Sequence, residues 1–120
     1  MGTRFTILAV ALCAGVAQAQ NESDWQPFFA VRGTTFYYAP STVRRDGDLR
    51  SVKWHDSLNP QVVFLMRIDC KARTIQSLSV DQYDLNTGAY YASQDLSANS
   101  QPEPIEGPAT MGAKLAEIVC

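Results

Sequence analysis

Cys70 and Cys120 constrain this chain more than any other residues, because joining them would close a 51-residue segment into a loop. Which cysteines are present to pair depends on the first residues. "MGTRFTILAVALCAGVAQAQ" has a short basic start at Arg4, an apolar run from Phe5 to about Val16, and small residues ending in "AQA". This is the pattern of a secretory signal peptide, with cleavage expected after Ala19. The apolar run is short for a bilayer core of roughly 30 Å, and no basic stop-transfer cluster follows it. Leu12 stands where a lipidation signal requires a small residue, so Cys13 is expected to leave with the leader. Removing 19 of 120 residues leaves 101, with Cys70 and Cys120 as the two cysteines. An exported chain meets oxidising surroundings, so the pair is expected to form one disulfide. A free or intermolecular thiol is the alternative. Closing a loop of this size is worth about 4 kcal/mol in the chain-entropy model, which is large against the net stability of a domain of about 100 residues.

Between the cysteines and before them the pattern is that of strands. "QNESD" is a polar start containing a formal glycosylation acceptor at Asn21. "WQPFFAVRG" and "TTFYYA" are aromatic and β-branched. "PSTVRRDGD" is a connection with a tight-turn signal at Asp46-Gly47. "LRSVKWHD" alternates, with Val52 and Trp54 against Ser51, Lys53 and His55. In "QVVFLMRIDC" one face takes Val62, Phe64, Met66, Ile68 and Cys70, and "TIQSLSVDQYD" and "GAYYAS" follow as further strands. "QDLSANSQPEPIEGP" has the composition of a loop. In "ATMGAKLAEIVC" the period becomes helical: Met111, Leu115, Ile118 and Val119 recur on one stripe, with Thr110 as the N-cap. The strand connections are too short for helical crossovers, so the pairing is antiparallel. The expected fold is α+β: an antiparallel sheet of five to six strands with one C-terminal helix packed on a sheet face and tethered by a disulfide.

"FYYAPSTVRRDGDLRSVKW", "RIDCKARTIQSLSVDQYD" and "IEGPATMGAKLAEIVC" together resemble the bacterial surface-adhesin protein E-like domain. The resemblance covers roughly Phe36 to Cys120, so that residues 20–120 form a single domain of this kind after a leader of residues 1–19. Its most specific parts are the two cysteines and the closing helix. The resemblance implies an antiparallel sheet and a C-terminal helix bonded to it through Cys70–Cys120, and it carries no catalytic motif.

The residues themselves point away from catalysis. His55, the one histidine, adjoins Asp56 at a strand end, but neighbours along a strand face opposite ways and lack a nucleophile. No metal set is expected: two cysteines are used by each other, and Asp81, Asp84 and Asp95 lack the spacing of a Ca²⁺ loop. No cofactor is assigned, although His55, Met66 or a tyrosine offers a weaker reading as a haem or small-ligand site. A formal net charge of −2 without a basic stripe points away from nucleic acid. The candidate binding surface is Tyr37, Tyr38, Tyr90 and Tyr91 with the arginines Arg44, Arg45 and Arg50 of the turn. Tyrosines on an open sheet face make a good contact platform, and the arginines suit anionic partners such as sulfated glycans or an acidic protein.

The expectation is therefore a non-enzymatic binding module, exported to the periplasm or cell surface and not inserted in the membrane once the leader is removed. Its partner would be a protein or a glycan at the cell envelope, with dimerisation left open by the edge strands. A small periplasmic inhibitor or envelope-maintenance protein, occluding an enzyme with a protruding loop, is the second expectation.

Overall fold

The structure, a computed structural model, describes residues 24–120. The expected leader, Cys13 and Asn21 lie outside the described residues. In chain order the elements are β1 (Gln26–Val31), β2 (Thr34–Tyr38), a 3-10 turn (Pro40–Thr42), β3 (Arg44–Asp46), β4 (Leu49–Asp56), β5 (Val62–Asp69), β6 (Thr74–Tyr83), β7 (Tyr90–Asp95), β8 (Glu103–Pro104) and α1 (Met111–Val119).

All strands join one antiparallel sheet, in the order β1-β2-β4-β5-β6-β7. β3 pairs with the first half of β4, along the same edge that β2 uses further on. β8 likewise takes the start of β6, on the edge that β7 uses beyond it. The expected five to six strands are thus corrected to eight among the described residues. The two additional ones are three and two residues long, too short to show a period of two in sequence. They fill ladder positions that β2 and β7 leave open, and so satisfy backbone groups on β4 and β6. Register shifts at Pro27/Phe29, Leu65/Met66 and Gln82/Tyr83 mark bulges. Bulges increase local twist, and the sheet curls into a half-barrel.

The concave face holds the core. Cross-strand pairs Val52↔Met66 and Trp54↔Phe64 set the alternation of β4 and β5. Val52, Trp54, Met66 and Ile68 form one buried cluster with Leu115, Ala116 and Val119 of α1, and Phe28, Phe36, Tyr38 and Ile75 pack around it. Trp54 stacks on Phe64 with ring centroids 4.6 Å apart. Thr110 caps the helix as its type predicts, its Oγ1 accepting the Ala113 N–H at 3.2 Å. Ile118, expected on the buried stripe, is 43% exposed; Ala113 and Ala116 take the inner face with Leu115 and Val119. Small side chains there let the helix approach the aromatic sheet.

Two ties hold the end of α1. Cys70 and Cys120 form a disulfide with their Cα atoms 5.7 Å apart, a normal separation. The Arg50 Nε–H donates to the Val119 carbonyl at 3.0 Å, placing a cation at the helix C-terminus.

The turns share one device. Asp56 Oδ1 accepts the Leu58 and Asn59 amides. Asp69 Oδ1 accepts those of Lys71 and Ala72. Asp84 Oδ1 accepts those of Asn86 and Thr87. In the β1–β2 hairpin Arg32 and Gly33 both have positive φ, 52° and 81°, as a type I′ loop requires.

Candidate functional site

The face opposite the helix is where side chains can meet a partner, and the two ends of that face differ. At one end gather the β1–β2 hairpin, the β4–β5 turn and the β6–β7 turn. Tyr37 and His55 are cross-strand partners there, their rings stacked at 5.2 Å. Trp25 meets the other side of His55 edge-on at 4.4 Å. His55 Nδ1 stands 3.0 Å from the Asp56 carbonyl; a carbonyl only accepts, so Nδ1 carries the proton. His55 is thus an aromatic filler between two rings, and the Asp56 carboxylate is committed to its turn.

Next to this stack lies Tyr83, 5% exposed, whose N–H donates to the Gln61 carbonyl at 2.9 Å. Its ring meets Tyr90 at 5.8 Å. Two adjoining hollows share Gln61, Tyr83, Asp84 and Leu85 as walls. One, of about 400 Å³, adds Val62, Gln82 and Tyr91. The other, of about 250 Å³, adds Trp25, His55 and Pro60. Together they form a groove of ligand-sized volume over the end of the sheet, with aromatic sides, two amide side chains and one carboxylate. Val62 and its partner Gln82 alternate toward the helix side, so the groove wraps around that end. Asp84 is held below the ordinary carboxylate range by the Thr87 and Asn86 amides that it accepts. Leu58, Leu85, Tyr90 and Tyr91 project at this rim, with Leu85 and Tyr91 each 72% exposed.

At the other end stands the arginine turn. Arg44 Nη1 donates to the Ser41 and Val43 carbonyls. Arg50 donates to Gly47, Leu49 and Val119 carbonyls, so all its bonds go to the fold. The guanidinium of Arg45 makes no hydrogen bond or ion pair among the described residues.

The seven candidate residues therefore do not form one site. Tyr37 faces the groove end, whereas Tyr38 points to the concave side and meets Phe28 edge-on at 5.9 Å. Tyr90 and Tyr91 belong to the groove rim; Arg44 and Arg45 lie at the opposite end of the sheet. Sequence reasoning had the aromatic types in hand but not Trp25, His55 and Tyr83 as one cluster. Their convergence depends on the β2–β4 register and on the bulge at Gln82/Tyr83, which no local pattern announces. Among the described residues no three His, Cys, Asp or Glu side chains gather as a metal set, and no helix is long and apolar enough to cross a membrane.

A disulfide-tied half-barrel with one helix in its hollow defines a small α+β domain. The chain belongs to the Surface-adhesin protein E family, whose model matches residues 25–120. That span extends the resemblance from Phe36 back to Trp25 and takes in β1. Comparison with curated proteins and with solved structures finds no match.

Proposed function

We propose that this protein is an exported, non-enzymatic, adhesin-like binding module that contacts a protein or glycan partner at the cell envelope through the aromatic groove. The observation that carries this reading is the set of large apolar side chains left exposed at one rim, Leu58, Leu85, Tyr90 and Tyr91, beside a groove walled by the buried ring of Tyr83. Aromatic side chains around a concave, partly desolvated patch are what binding hot spots are made of. Family membership supports an adhesin-like role at the surface.

The protruding β6–β7 turn, with Leu85 at its tip, also suits the second reading, a periplasmic inhibitor that inserts this turn into an enzyme cleft. One experiment tests both. Residues 20–120 are probed against panels of extracellular proteins, glycans and cell-wall hydrolases, alongside Leu85→Ser and Tyr91→Ser, two substitutions at exposed positions that leave the core untouched. An adhesin-like module binds a panel protein or glycan, and each substitution weakens that binding at least about tenfold. Inhibition of a hydrolase, relieved by Leu85→Ser, supports the second reading. Hydrolytic or transfer activity of the pure protein, lost in His55→Ala, overturns both.

A further inference from the structure

We propose that the arginine end of the same sheet face is a second, independent site, one that takes a sulfated polysaccharide through Arg44, Lys53 and Arg67. Ser51 pairs with Arg44 on one side and with Arg67 on the other, so the three side chains stand in one cross-strand row. Lys53 follows two residues along β4 and projects from the same face. A cleft of about 210 Å³ opens there, with Arg45, Leu49 and Leu78 among its walls. Leu78 reaches it because β6 carries an extra residue between Ser77 and Ser79.

No described carboxylate forms an ion pair with this row. The one ion pair among the described residues is Lys114–Glu117, on the helix. Asp46 also borders the cleft, yet lies beyond 4.0 Å from every guanidinium and ammonium. Asp69, the next carboxylate on this face, gives Oδ1 to two turn amides. Arg44 uses Nη1 internally, and Arg67 gives Nη2 to the Gln76 Oε1 at 2.9 Å. Arg44 thereby keeps its Nε/Nη2 edge for an outside acceptor, and Arg67 keeps Nε–H beside the second hydrogen of Nη2, with each guanidinium fixed in place.

A guanidinium fork matches a tetrahedral oxyanion with two parallel bonds. Arg44 and Arg67 stand two strand spacings apart, about 10 Å, and Lys53 adds a third charge to one side. Such a row fits a chain that bears repeated anions better than a single ion. No aromatic ring lines the cleft, whereas sites for single-stranded nucleic acid interleave cations with stacking rings. The polyanion that these observations favour is a sulfated sugar chain. Ser51, at the centre of the row, lies four residues along β4 from His55, about 14 Å, and Lys53 stands between them; neither arginine lines the aromatic groove.

The test is retention of residues 20–120 on immobilised heparin at pH 7.4. Residues 20–120 lack Arg4 and so carry nine Lys and Arg against twelve Asp and Glu, a net charge of −3; general electrostatics would repel them and retention reports a local site. Wild type is expected to stay bound beyond about 0.15 M NaCl, where the screening length is already about 8 Å. It is expected to pass through a column of desulfated heparin. Arg44→Gln combined with Arg67→Gln should elute below that salt, with circular dichroism confirming the fold. Arg45→Gln, which breaks no internal bond, should shift elution downward by a smaller step. Lys114→Gln on the helix should elute as wild type. Passage of wild type through heparin, equal elution of the arginine variants, or equally tight binding of a single-stranded DNA of matching charge would each overturn the assignment. Loss of binding in the Leu85→Ser and Tyr91→Ser proteins would instead belong to the groove.

Discussion

At the scale of single residues, the aspartates at strand ends do more than the aromatics to shape this molecule. Asp56, Asp69 and Asp84 each spend one carboxylate oxygen on two backbone amides, and Asp95 accepts the Ser97 amide and hydroxyl. Such side chains close a turn by mimicking a backbone acceptor. In the sequence Asp56 stood as half of an acid–base pair and Asp84 and Asp95 as metal-ligand candidates, because an Asx turn leaves no periodic trace. Their ionisation has a predictable consequence. Asp84 is lowered chiefly by the Thr87 amide, then the Asn86 amide, and Asp95 chiefly by the Ser97 hydroxyl. A carboxylate whose folded pKa is depressed stabilises the fold above its unfolded pKa, about 3.9, and loses that contribution as pH falls through the folded value. The Asn86 and Thr87 amide resonances should therefore titrate below the ordinary carboxylate range, and Asp84→Asn should abolish that titration. A midpoint at or above the unfolded value would contradict this. Arg50 tells a parallel story: it sits in a basic turn, yet its Nε–H ends the helix. Arg50→Gln should cost about 1–2 kcal/mol, read as a lowered urea midpoint.

At the scale of elements, the closing helix was the most legible part. Its period and its Thr110 cap were visible in twelve residues, because helical spacing and capping are local; its tie to Cys70, fifty residues away, was expected from the two cysteines that the leader leaves. The inner face was legible only in part: Ile118 turns outward, and Ala113 and Ala116 take the buried side with Leu115 and Val119. The short strands β3 and β8 were not legible, because each exists only through the longer strand that it borders. The helix is improvable. A Cβ at Gly112 would meet Ile75 Cδ1 at 3.5 Å, an ordinary contact, so Gly112→Ala should gain up to about 1 kcal/mol. Leu115 is wholly buried, and Leu115→Ala should cost about 2–5 kcal/mol. Cys120→Ser should remove roughly 4 kcal/mol, measured by urea unfolding against the oxidised protein. A loss under 1 kcal/mol would mean that the helix holds by packing alone.

At the scale of the whole molecule, stability is graded across the sheet. β4, β5 and α1 carry the core, whereas every residue of β7 is exposed. Opening should follow that gradient: amides of β7 and β8 should exchange with solvent fastest and those of β4 and β5 slowest, as native-state hydrogen exchange would show. The antiparallel order could be expected from connection length. The two-ended character of the open face could not, since it arises from which turns the curled sheet brings together. The disulfide then has a consequence for load. It joins the end of β5 to the end of α1, so β6, β7 and β8 lie inside a covalent ring. Tension applied between residues 24 and 120 runs through residues 24–70 and crosses the sulfur bridge, bypassing everything from Lys71 to Val119. At about 3.4 Å per residue, the stretched domain would lengthen to roughly 160 Å instead of the roughly 330 Å of the open chain. The groove turn at Asp84 and the strand that carries Tyr90 and Tyr91 fall within the bypassed part, where a pull on the chain ends does not reach the backbone directly.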